Sequence, residues 1–151
     1  MFRNYLLLCL CMSMVTVGHA LPVKKDVSPQ EVLMYINEFR AHKGLPILQM
    51  NPILSAEAAQ HSADMAAHRV AFGHEGFANR MQHVHKKIQT AQDGAENVAY
   101  NYHTAKIVAD GWIHSPGHRR NILGHYNQTG IGIVYDKLGR PYYTQLFLKT
   151  N

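Results

Sequence analysis

Residues 111–123 read GWIHSPGHRRNIL, and they divide the chain: helical periodicity runs up to them and strand alternation follows. Val108 and Trp112 lie four apart and share one helical face. Pro116 has no N–H and disfavours the α region for Ser115, so the helix is expected to stop there. Gly117 opens backbone angles that other residues avoid. On this reading His118 is fixed by a turn just past the helix and aimed into a groove, rather than spread along a helix face.

Downstream, Ile131 to Tyr135 alternates as a strand, Asp136-Lys137-Leu138-Gly139 turns, and Tyr142 to Leu148 returns. Upstream, Ser28-Pro29-Gln30-Glu31 opens a helix with a capping box, whose apolar stripe is Val32, Ile36 and Phe39 and which Gly44 closes. Leu45 to Leu48 is a connector expected to pack on the core. Asn51-Pro52 starts a second, alanine-rich helix that runs to about Arg69, with Leu54, Ala58, His61 and Met65 along one face. Residues 72–77, FGHEGF, break the pattern as a loop carrying another positioned histidine, His74. A short helix over Ala78–Ile88 follows, and then a strand over Glu96–Tyr100 with Glu96, Val98 and Tyr100 on one face. Thr104 caps the helix that leads into residue 111. Helices first and a hairpin last make this an α+β chain rather than a parallel α/β one.

The sequence has 151 residues, which suits one domain. Arg3, the apolar run Leu6–Val17 and the small-x-small triplet Gly18-His19-Ala20 form a secretory signal peptide over residues 1–20, with cleavage after Ala20. The apolar run is short for a membrane span, and no later stretch is long and apolar enough. Residues 21–27 then make a linker and 28–151 the domain. Both cysteines, Cys9 and Cys11, fall inside the signal, so the exported chain is expected to have no disulfide, no Cys-ligated zinc and no thiol nucleophile. The net charge of +5 is scattered over Lys24-Lys25, Arg40, Lys43, Arg69, Lys86-Lys87, Arg119-Arg120 and Lys149. That scatter describes a solvated surface, not a clustered nucleic-acid footprint.

Eleven histidines make chance pairings common. His74 and His118 both sit at glycine-flanked breaks, where a ring can be aimed at one point. Glu96 is a lone carboxylate on an apolar strand, and once buried it needs a partner. Two imidazoles with a carboxylate in reach make a site for zinc or a similar ion with open positions for water. From spacing alone, three separately satisfied polar residues are the commoner outcome. His74-Glu75-Gly76-Phe77-Ala78 is not HExxH, because Ala78 stands where the second histidine is required. His61, Asp64 and His68 read as a solvated polar face. Ser115 lies near His118, but Ile113 occupies the first glycine place of G-x-S-x-G, which argues against acyl transfer.

Taken in order, FGHEGF at 72–77, AENVAY at 95–100, GWIHSPGHRRNIL at 111–123, TGIGIVY at 129–135 and YYTQLF at 142–147 resemble the motifs of the CAP superfamily. These are the SCP-domain proteins: cysteine-rich secretory proteins, antigen 5 and pathogenesis-related 1. NEFRAHKGLPIL at 37–48 and HSADM at 61–65 match the family's helical start, and the likeness is to its short, cysteine-poor bacterial branch.

The resemblance implies an α-β-α sandwich, with a small antiparallel sheet between helical layers and a large open cleft. It implies His74 and His118 as ligands of a divalent metal, taken as Zn2+, and Glu96 as a cleft carboxylate. Ser115 stands where a second glutamate would fall, which weakens any mechanism needing two carboxylates. The function this implies is a secreted, extracellular or periplasmic protein whose cleft holds a metal and a lipid, peptide or envelope ligand without turnover, in host or competitor interaction. The alternative is a zinc-dependent peptidase or esterase with Glu96 as base for a bound water. Neither reading involves nucleic acid or a transmembrane segment in the exported chain, and oligomeric state is left open.

Overall fold

The computed structural model describes residues 26–151. The expected signal peptide and most of the expected linker therefore lie outside the described residues. In chain order the elements are α1 (Pro29–His42), β1 (Gln49–Met50), α2 (Pro52–Ala66), α3 (Phe77–Lys87), β2 (Ala91–Tyr100), α4 (Ala105–His114), α5 (Pro116–Ile122), β3 (Gln128–Tyr135) and β4 (Pro141–Thr150). Three helices begin on side-chain caps at the expected residues. Ser28 Oγ accepts from Glu31 N, Asn51 Oδ1 from Ile53 N, and Thr104 Oγ1 from Ile107 N.

The strands form one sheet in the order β1-β3-β4-β2. The β3–β4 hairpin and the β2–β4 pair are antiparallel, as expected, and Glu96 sits opposite Leu146. The sheet is nonetheless mixed, because the two-residue β1 runs parallel to β3. A strand that short leaves no alternation to read.

Side chains alternate across β4 and divide the core in two. Tyr143 and Phe147 pack with Val32, Ile36, Val108, Trp112 and Ile122 under α1, α4 and α5. Leu146 and Leu148 pack with Leu54, Ala58, Met81 and Val84 under α2 and α3. This is the α-β-α sandwich. The hairpin glycines set the spacing on the α2 side, since a Cβ at Gly130 or Gly132 would lie 2.2 Å from α2 backbone atoms. Among the described residues, no helix is long and apolar enough to cross a membrane.

Three expectations fail locally. The helix stops before Pro116 as expected, but Pro116 is also the first residue of α5, so His118 stands on a helix and not in a turn. The same proline that forces Ser115 into extended backbone (φ −85°, ψ 120°) is preorganised for a first helical turn. Gly117 needs no left-handed backbone there. The second helix stops at Ala66, and His68 takes a positive φ of 54°.

Arg40 is not a surface charge. It is 1% exposed and donates to the carbonyls of Pro46, Ile122, Gly124 and Tyr126. The guanidinium thereby ties the end of α1 to the turn after α5. His61, read as part of a solvated face, is 3% exposed.

Candidate functional site

β2 is an edge strand, and the helical layers leave a groove along it. Two of its outward carbonyls are closed by side chains from the α4–α5 layer. Trp112 Nε1 donates to Val98 O at 3.1 Å, and Asn121 Nδ2 donates to Glu96 O at 3.0 Å. These bonds blunt the open edge and hold α4 and α5 against it. The groove encloses about 610 Å³ and is lined by Phe72, His74, Tyr100, Tyr102, Trp112, Ser115 and His118, among others. His74 and His118 thus come together from opposite layers.

His74 lies in the loop between α2 and α3, with its side chain 53% exposed. Its Nδ1 is 2.9 Å from Glu96 Oε1. Glu96 projects from β2 toward α2 and α3, and its side chain is only 2% exposed. A carboxylate buried that far requires a partner, and it has a strong one. Arg80 on α3 donates Nε to Oε2 and Nη2 to Oε1, each at 2.8 Å. This two-pronged pair is the most specific form a guanidinium–carboxylate contact takes. Arg80 Nη1 also donates to Glu75 O, and His61 Nε2 lies 2.9 Å from Gly73 O. The residues on either side of His74 are therefore pinned through their carbonyls.

His118 is half-buried. Burial first, and the nearby His74 second, hold its imidazole below the ordinary histidine range. The residue is anchored through its backbone. Asn97, fully buried on β2, donates to His118 O at 3.2 Å and accepts from Asn121 Nδ2 at 2.9 Å.

Glu96 and Ser115 are differently placed. Ser115 lines the groove with both histidines. Glu96 contacts His74 and lines a shallower neighbouring pocket with His74 and Asn121. It is a support beneath the first histidine rather than a free acid between the two.

Arg80, Asn97, Asn121 and His61 escaped the sequence reading. A buried Glu96 announced its need of a cation, but an arginine on a short helix looks like every solvated arginine. Asn97 and Asn121 lay inside the quoted motifs without a role.

The donor set fits a loosely held divalent cation. His74 keeps Nε2 for a ligand once Nδ1 is spent on Glu96, and the neutral form favoured at His118 is the one that coordinates. Among the described residues, no three His, Cys, Asp or Glu side chains converge to hold a metal ion. Both Glu96 oxygens are already engaged. Two imidazoles with open positions fit; a closed four-ligand centre does not.

Comparison with known proteins agrees with the geometry. The model of the CAP, cysteine-rich secretory protein family matches residues 33–147. The uncharacterized Bacillus subtilis membrane protein YlbC is 32% identical over 83% of this chain and 35% of its own length. The uncharacterized Bacillus subtilis protein YkwD is 31% identical over 84% of this chain and 49% of its own length. The chain thus spans between a third and a half of these curated relatives.

Among solved structures, an extracellular SCP-domain protein of Bacillus anthracis superposes with a TM-score of 0.68. It is 30% identical over 80% of this chain and 40% of its own. An outer surface protein of Borrelia burgdorferi shares the fold, with a TM-score of 0.70 at 21% identity, over 85% of this chain and all of its own. With the family model covering most of the sequence, and the sandwich and edge-strand groove both in place, the chain belongs to the CAP (cysteine-rich secretory protein) family.

Proposed function

We propose that this is an exported CAP-family protein that binds a divalent cation, zinc by preference, between His74 and His118. A small ligand (a lipid, a peptide or an envelope component) lies in the same groove and is held without turnover. One observation carries the reading: two imidazoles from opposite helical layers line one groove beside an aromatic wall. That wall is built from Phe72 and Tyr100, whose rings lie 6.2 Å apart, and Tyr102. It offers apolar contact next to the two polar rings.

A bound divalent ion supplies a Lewis-acid contact for a ligand oxygen. Export agrees with the signal-like residues 1–20, and the Bacillus anthracis relative is described as extracellular. A hydrolase using Glu96 as base has less support, because Arg80 and His74 occupy both oxygens that would have to take a proton from water.

Zinc titration followed by thermal melting tests the proposal. At a hundred times its dissociation constant a ligand stabilises the native state by about 2.7 kcal/mol, a rise of several degrees for a chain this size. His74→Ala and His118→Ala should each abolish the rise. A parent-like response in both variants sinks the paired-histidine site.

A further inference from the structure

Arg80 does more than neutralise a buried acid. Its three guanidinium nitrogens are all committed around His74: Nε and Nη2 to the two oxygens of Glu96, and Nη1 to Glu75 O, every bond at 2.8 Å. The loop is shaped to admit this fork. Gly76 takes a φ of +77°, and a Cβ there would stand 3.2 Å from Arg80 Nη1. With both oxygens placed by Arg80, Glu96 presents Oε1 to His74 Nδ1 at 2.9 Å. A carboxylate only accepts, so the proton of that bond sits on Nδ1. In the neutral ring, Nε2 is then the nitrogen with a free lone pair.

We propose that Arg80 is the positioning residue of this site: through Glu96 it holds neutral His74 in the Nδ1–H tautomer and reserves Nε2 for a ligand in the groove. The inference deepens the cation-binding reading and rests on it for its consequence, though not for its geometry.

Glu96 alone would not do this. The nearby imidazole of His61 does not fix it, since its Nε2 is spent on Gly73 O and lies 4.0 Å from Glu96 Oε1. Without the fork nothing sets the direction of the carboxylate, and His74 loses its acceptor. A lysine at position 80 would bring the charge but not the two fixed directions. Partners of this kind, one step behind a metal-binding histidine, fix its tautomer and orientation.

Nitrogen-15 NMR of the imidazole nitrogens in the metal-free protein, at a pH where the rings are neutral, reads the tautomer directly. The parent should show His74 protonated at Nδ1. Arg80→Met should convert it to a mixture with the Nε2–H form and weaken zinc binding about 10–100-fold, and Arg80→Lys should restore the parent pattern only in part. A folded Arg80→Met protein with His74 still held as Nδ1–H and zinc affinity unchanged overturns the proposal. If that variant does not fold, because Glu96 is left unpaired in the interior, Arg80→Lys carries the test: it keeps a cation beside Glu96 without the fork, and a tautomer and zinc affinity identical to the parent's overturn the proposal. A parent that shows the Nδ1–H tautomer yet binds no zinc strikes the cation reading alone, and the tautomer comparison still decides the role of Arg80.

Discussion

The loop that carries His74 and the helix that carries His118 reach the same groove from opposite faces of the sheet, and they are supported by different means. His74 is gripped by its own ring: Nδ1 is bonded to a carboxylate that Arg80 fixes, while the side chain stays 53% exposed. His118 is gripped by its main chain, through Asn97 and Asn121, while its ring is half-buried in the packing around it. A ring bonded at one nitrogen has its tautomer chosen for it. A ring placed by its helix has its protonation chosen by burial. The difference predicts where damage spreads: changes behind His74 should alter one ring, and changes behind His118 should alter the fold.

The largest expected effect sets the two walls of the groove against each other. Trp112 belongs to the His118 side, is 1% exposed, packs edge-on to Tyr143 and closes the Val98 carbonyl. Trp112→Ala should cost about 3–5 kcal/mol. Phe72, beside His74, is 54% exposed and has the rings of Tyr100 and Tyr142 as aromatic neighbours. Phe72→Ala should cost about 1 kcal/mol or less. Urea denaturation measures both, and comparable losses would erase the proposed asymmetry.

Asn97→Ala comes next. It removes, from a fully buried position, the side-chain donor to a backbone carbonyl of α5 and one of the two acceptors of the Asn121 amide. Leaving such groups unsatisfied costs about 1–3 kcal/mol. The comparison is sharpened by chemical shifts: His118 should move, and the His74–Glu96 bond should be undisturbed. Perturbation of both rings alike would mean that the two supports form one network.

The same contrast explains what was legible in the sequence. Helix starts were readable because Ser28, Asn51 and Thr104 act through short-range bonds to residues two or three positions on. The hairpin was readable because alternation and an Asp-Lys-Leu-Gly turn are also local. His74 and His118 stood out as a candidate pair by their glycine-flanked breaks, but only resemblance raised the pairing above chance, since their meeting depends on two layers closing over β2. Arg80 and Arg40 were hidden for a related reason: nothing local separates a buried arginine from a solvated one, and their partners lie 16 and up to 86 residues away. Pro116 misled because one physical property has two outcomes. It ends α4 and equally begins α5.

The smallest effect concerns His118 and pH. Its imidazole titrates below the ordinary histidine range, first through burial and then through His74. The unfolded chain therefore takes up this proton first, near the usual pKa of about 6.5. The stability that follows from a neutral His118 is complete above that pH and drains away as the pH falls, until the folded ring titrates as well. Cation binding by the folded protein should weaken only lower still, as the pH falls through the depressed folded value of His118, because a protonated imidazole cannot coordinate. His74→Ala removes the second cause and leaves the first. The titration of His118, followed by NMR, should move up toward the ordinary value without reaching it. A full return would make His74, not burial, the main influence on His118. No movement at all would mean that the two rings, although they line one groove, do not sense each other's charge.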